Sequence, residues 1–112
     1  MKKIVIIGAG AMGSAFAVPC IENKNDVIIV GTHLENELID NINSNNKTHP
    51  ALKTQLPEEI KFEKFEKLQT ILEQKSDIIV CGVSSIGIEW FVEQISKSYE
   101  KKLPIVLLTK GL

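Results

Sequence analysis

The run Lys3-Ile4-Val5-Ile6-Ile7 leads directly into Gly8-Ala9-Gly10-Ala11-Met12-Gly13, and the reading of that junction decides the fold. A short apolar run rich in Ile and Val predicts a strand buried on both faces, as in a parallel sheet. The three glycines follow the G-x-G-x-x-G spacing and turn the strand into a helix. Gly8 permits the tight turn. Gly10 lets the backbone approach a ligand with no Cβ in the way, and Gly13 lets the helix pack closely on the strand. The helix start then offers free N–H groups and the positive end of its dipole to an anion. The spacing alone is a weak signal. Placed after a strand and before an Ala-rich helical segment, it predicts a dinucleotide site with its pyrophosphate at this turn.

Working outward, Ser14 to about Glu22 continues as a helix with Phe16 and Cys20 on one side, and Pro19 predicts a kink or an early end. Val27 to Gly31 is a second buried strand, and Glu35 to Ser44 a helix with Leu38, Ile39 and Ile42 as its apolar side. Asn43 to Pro57 is a polar connection too long for a tight turn. Ile60 to Phe62 gives a short third strand, and Glu66 to Gln74 a helix. Asp77 to Cys81 is a fourth strand, followed by the turn Gly82-Val83-Ser84-Ser85. Ile86 to Tyr99 is a helix with Ile88, Phe91, Val92 and Ile95 on one face, and Leu103 to Leu108 is strand five. Strands alternating with helices imply right-handed βαβ units. The expected fold class is therefore α/β, a Rossmann-type doubly wound parallel sheet of order 3-2-1-4-5 in a single truncated domain, residues 1–112. Ligand is expected across the carboxyl ends of the strands.

Composition narrows the function. The 112 residues carry 13 basic and 14 acidic side chains for a net charge of −1, so neither nucleic acid nor an anionic membrane is expected as main partner. No apolar run reaches the length of a membrane span. With 44% hydrophobic residues and a slightly positive mean hydropathy, one core can be buried. Cys20 and Cys81 form neither a disulfide framework nor a metal-ligand pattern. They read as buried, reduced thiols of a cytoplasmic protein.

The dinucleotide reading assigns roles. An acid closing strand two ordinarily holds the adenosine ribose, but Gly31-Thr32-His33 stands there and the first carboxylate is Glu35. Without an acid a ribose 2′-phosphate is not repelled, and Thr32 or His33 could donate hydrogen bonds to it. The cofactor is NADP or NAD, with a lean towards NADP. His33 reads equally as an exposed loop histidine, and His49 reads first as a polar loop residue beside proline. Val83 and Ser84, at the ligand edge after strand four, could line the middle of the cofactor, although serines in a turn need no ligand. Trp90 reads as core rather than as a stacking platform. Lys110 follows a fully apolar strand at the ligand edge, where a lysine can neutralise a phosphate or hydrogen-bond a carbonyl being reduced.

GAGAMGSA after strand one, Val83-Ser84-Ser85 after strand four and Leu108-Thr109-Lys110-Gly111-Leu112 after strand five resemble the N-terminal cofactor domain of NAD(P)-dependent glycerol-3-phosphate dehydrogenases. The resemblance implies that Gly8, Gly10, Ala11, Met12 and Gly13 hold the pyrophosphate and that Thr32 and His33 meet the adenosine ribose. Lys110 would be catalytic, beside both nicotinamide and substrate. Two departures stand out. The family commonly has Val-Pro-Ser where Val83-Ser84-Ser85 stands, and the helical C-terminal domain with the second catalytic lysine is absent. The resemblance therefore implies a fragment, a truncated chain or a split gene, inactive alone. Its expected partners are a dinucleotide, a small phosphorylated substrate reached through the missing domain, and a second copy of the full-length protein in a homodimer. Two alternatives remain open. One is another dehydrogenase of similar domain order, of the ketopantoate reductase or β-hydroxyacid type. The other is a stand-alone nucleotide-binding module.

Overall fold

A computed structural model describes residues 1–98 and 104–108. The chain runs β1 (Lys3–Ile7), α1 (Ala11–Glu22), β2 (Asp26–Val30), α2 (Asn36–Ser44), β3 (Thr48–His49), β4 (Thr54–Gln55), β5 (Lys61–Glu63), α3 (Leu68–Glu73), β6 (Ile78–Cys81), α4 (Ile88–Ser98) and β7 (Ile105–Leu107). Single turns of 3₁₀ helix, Phe65–Lys67 and Ser85–Gly87, lead into α3 and α4. Five strands pair in parallel in the order β5-β2-β1-β6-β7, which is the expected 3-2-1-4-5 once the small β3–β4 pair is set aside.

The sheet is central because its middle strands have no polar face. Along β1, Ile4 and Ile6 enter one core with Val27, Ile29, Ala17, Ile39 and Ile42, while Val5 and Ile7 enter the other with Val30, Leu68, Ile71, Phe91 and Ile95. Successive side chains of a strand point to opposite faces, so the four apolar residues Ile4 to Ile7 satisfy two helical layers at once. Each fully buried Ile or Val there contributes about 2 kcal/mol. Helices α1 and α2 cover one face and α3 and α4 the other. The chain winds outward from β1 to β5, then crosses back to β6. Between β1 and β6 lies the point where the winding reverses, and their carboxyl ends open a crevice there.

Several expectations change in detail. Helix α1 continues past Pro19 to Glu22 instead of ending early. Its buried side, Gly13, Ser14, Ala17 and Cys20, holds it against the sheet, and the carbonyl that Pro19 deprives of a donor belongs to exposed Ala15. On α4, Val92 is 55% exposed, and Gln94 takes the buried place beside Phe91 and Ile95. The polar connection after α2 is an ordered antiparallel hairpin, Thr48 opposite Gln55 and His49 opposite Thr54. Its entrance is held by Lys47, whose Nζ donates to the carbonyls of Glu58 and Ile60 at 2.5 and 2.6 Å. Leu56 and Ile60 anchor the same segment in the core.

Candidate cofactor-binding site

At the carboxyl end of β1 the backbone is packed as tightly as backbone allows. Gly8 has φ +111°, and a Cβ there would stand 2.8 Å from the carbonyl carbon of Gly82. A Cβ on Gly13 would stand 2.6 Å from the Gly8 oxygen. These two glycines serve approach of chain to chain: β1, the start of α1 and the exit of β6 meet with no side chain between them. Gly82 completes the contact by donating its N–H to Ile7 O at 2.8 Å.

Gly10 differs. A Cβ there would meet nothing within 4 Å, and its φ of −65° suits any residue. It is the N-cap of α1, yet no side chain caps the helix and no acidic residue occupies the first turn. The first N–H groups of a helix have no partner inside it and carry the positive end of the dipole. Room beside the backbone, N–H groups without an intrahelical partner and a first turn without an acid make a cradle that fits a pyrophosphate.

The cradle borders a cleft of about 430 Å³. Gly10, Ala11 and Met12 line it together with Thr32, His33, Glu35, Val83, Ser84 and Trp90. The structure thus gathers most of the expected residues from three separate loops around one space. Gly8 and Gly13 lie behind that lining and shape it. Lys110 lies outside the described residues.

Four residues that the sequence did not single out for this role complete the site. Gly82 lines the cleft where β6 ends. Glu35 turns its carboxylate back towards the glycine loop, where Oε1 accepts from Ala9 N and Thr32 N, both at 2.9 Å. The lining after β2 therefore contains a carboxylate, reached from five residues beyond the strand. His49 is 2% exposed rather than in open solvent. Its Nδ1 accepts from Ala51 N and Leu52 N at 3.1 and 3.4 Å, which assigns the proton to Nε2, and Nε2 donates to Ala9 O at 2.9 Å. Ser14 Oγ donates to the same oxygen at 3.1 Å. The backbone N–H and C=O of one residue of the glycine loop, Ala9, are thus bonded by side chains from the segment after β2, from α1 and from the hairpin. Trp90 is the fourth. It is only half-buried, touching the core on one side and lining the cleft on the other.

Both cysteines are free and buried, and burial pushes both thiols above their ordinary value; at Cys81 a backbone hydrogen bond from Val83 offsets part of the rise. Among the described residues no group of three His, Cys, Asp or Glu side chains could hold a metal ion, and no helix is long and apolar enough to cross a membrane.

A doubly wound parallel sheet with a glycine turn, an uncapped helix start and a cleft at the reversal point defines the class, a nucleotide-binding α/β domain of the Rossmann type. Comparison with known proteins carries the assignment further. The family model described as the N-terminus of NAD-dependent glycerol-3-phosphate dehydrogenase matches residues 3–112. An NADP(+)-dependent glycerol-3-phosphate dehydrogenase from Archaeoglobus fulgidus is 37% identical over 109 residues, 97% of this chain and 31% of that protein. A glycerol-3-phosphate dehydrogenase described as NAD(P)+-dependent, from Bacillus pumilus, is 33% identical over all of this chain and 31% of its own length. The crystal structure of glycerol-3-phosphate dehydrogenase from Coxiella burnetii superposes with a TM-score of 0.83 at 23% identity, covering 99% of this chain and 33% of that one, which shows the shared fold. The chain belongs to the family of NAD(P)-dependent glycerol-3-phosphate dehydrogenase N-terminal domains, and it spans about a third of the length of the curated relatives it matches.

Proposed function

We propose that residues 1–112 are the cofactor domain of an enzyme interconverting dihydroxyacetone phosphate and sn-glycerol 3-phosphate. The observation that carries this reading is the start of α1: an uncapped helix end beside an open Gly10, facing a cleft, in a chain of this family. The N–H groups of Ala11, Met12 and Gly13 are placed to hold a pyrophosphate, with Gly8 and Gly13 fixing their direction. Thr32 and His33 stand at the adenosine ribose, and Val83 and Ser84 along the middle of the cofactor. When bound, the nicotinamide ring supplies or accepts the hydride. Lys110 is assigned to the substrate, neutralising its phosphate or donating a hydrogen bond to its carbonyl oxygen. A second lysine, on a helical C-terminal domain, would manage the proton.

The same reading makes this chain alone a binder without turnover, places the protein in the cytoplasm, where its two buried thiols stay reduced, and gives the whole protein as a homodimer. The test is direct. The native protein should oxidise NADPH or NADH when dihydroxyacetone phosphate is added, and Lys110→Ala should abolish that turnover while cofactor binding persists. Tight cofactor binding with no turnover of any 2-keto phosphate by the native protein would favour a binding module instead.

A further inference from the structure

The hairpin of β3 and β4 lines no part of the cleft, yet one of its side chains reaches the glycine turn. Two observations set this segment apart. Among the described residues, four that are not glycine have a left-handed backbone, and three of them flank His49: Asn46, Lys47 and Lys53, at φ +53°, +57° and +53°. An L residue adopts that conformation at a cost, which the surrounding structure must offset. The second observation is an excess of donors. Ser14 Oγ already satisfies Ala9 O at 3.1 Å, so burial of that oxygen does not require another partner. His49 Nε2 nevertheless supplies one at 2.9 Å, from 40 residues away. Its other ring nitrogen, Nδ1, serves the hairpin itself through Ala51 N and Leu52 N. His49 is thus the joint between a strained hairpin and one peptide of the glycine loop.

From this arrangement we propose that His49 is a positioning residue for the cofactor, holding the Ala9–Gly10 peptide with its carbonyl inward so that the cradle turns an N–H and not an oxygen towards the pyrophosphate. The proposal rests on the dinucleotide reading above and adds a residue outside the cleft that sets the polarity of its backbone. The Ala9–Gly10 peptide is trans, so its C=O and N–H point in opposite directions. With Ala9 O held inside by His49 and Ser14, the Gly10 N–H faces the other way, and Gly10 borders the cleft. Rotation of this one peptide would exchange the two groups and set a carbonyl dipole against an anion. Such a rotation changes ψ of Ala9 and φ of Gly10 together, carrying Gly10 from φ −65° to a positive value that glycine tolerates and other residues resist. The glycine that leaves room for the ligand therefore also leaves the peptide free to flip, and the hairpin supplies the lock. Glu35 does not duplicate it, since its bond to Ala9 N fixes the preceding peptide.

Two substitutions separate the two nitrogens of His49. His49→Gln can still donate from its amide to Ala9 O but gives up the acceptor of the hairpin. His49→Asn can accept from Ala51 N and Leu52 N but is too short to reach Ala9 O. The native protein and both variants are titrated with NADH and with ADP by calorimetry, at a temperature where circular dichroism shows each one folded. His49→Asn should bind both ligands about tenfold more weakly, and His49→Gln within about threefold of the native protein. By linkage, saturating NADH should slow hydrogen exchange at the Ala51 and Leu52 amides of the native protein, although the hairpin lies outside the cleft, and should not do so in His49→Asn. Exchange in the native protein decides the matter if a variant fails to fold. Any other ranking of the two variants, or exchange that ignores NADH, leaves His49 a residue of the hairpin alone; the positioning role is then wrong while the cofactor reading stands. If the native protein binds neither NADH nor NADPH, the underlying reading falls and the positioning role with it.

Discussion

At the glycine turn the backbone N–H and C=O of Ala9 are bonded by three side chains, and Gly8 and Gly13 leave no room for a Cβ. Elsewhere in the lining of the cleft Leu34 and Ile86 are exposed, and the His33 ring lies 5.4 Å from that of Trp90 and 6.0 Å from that of Phe65. The cradle is built from backbone in its final geometry, so binding an anion there requires little ordering. This part of the lining is made of side chains, and a ligand that packs on exposed Leu34 and Ile86 must order them. Under the proposed reading an anion meets a rigid backbone at the glycine turn and the rest of the cofactor meets side chains that can adjust.

This contrast breaks most visibly at Gly8. Gly8→Ala meets both a left-handed backbone and the Gly82 carbonyl, and should cost about 3 kcal/mol or more of stability in urea unfolding. A neutral result would mean that the cradle is softer than its packing implies. His49→Ala removes the donor to Ala9 O, strands two amides and leaves a void. It should cost about 2 kcal/mol and weaken NADH binding about tenfold, read by unfolding and calorimetry. Gly10→Ala separates ligand from fold: its stability should stay within about 0.5 kcal/mol of the parent, while cofactor affinity falls about tenfold because the new methyl fills the cradle. A Gly10→Ala protein that binds normally would move the pyrophosphate elsewhere.

Two smaller effects sharpen the picture. Glu35→Gln keeps an acceptor for the Ala9 and Thr32 amides but removes the charge from the adenosine side. The NADPH-to-NADH affinity ratio should rise about threefold, measured by competition. The smallest effect concerns Cys20 and Cys81. Folding raises both thiol pKa values, so the unfolded chain releases these protons first and binds fewer of them as pH climbs past about 9. Stability should therefore be full below that point and decline above it, and the decline between about pH 8 and 10 should be shallower in Cys81→Ala.

Much of this was legible in local pattern. Lys3 to Ile7, Asp26 to Val30 and Ile78 to Cys81 announce themselves because a strand buried on both faces has no polar alternation to obscure it. The glycine spacing marks the turn because few other sequences can make it. Glu35, His49 and Trp90 were not legible as site residues. Glu35 and His49 act on Ala9 across 26 and 40 residues of chain, and nothing in the sequence near them announces that meeting. Trp90 has one side on the core and one on the cleft, and periodicity reports only the first.

The sequence by itself determined the strand order, the place of the glycine turn and most residues of both cores, since these follow from the right-handed βαβ rule, the conformational freedom of glycine and apolar periodicity. Only the tertiary structure decided which side chains hold the Ala9 backbone, which acid lines the cleft and which aromatics meet beside it. Those depend on hydrogen bonds and ring contacts between segments far apart in the chain, and such contacts exist only once the sheet has brought its loops to one edge.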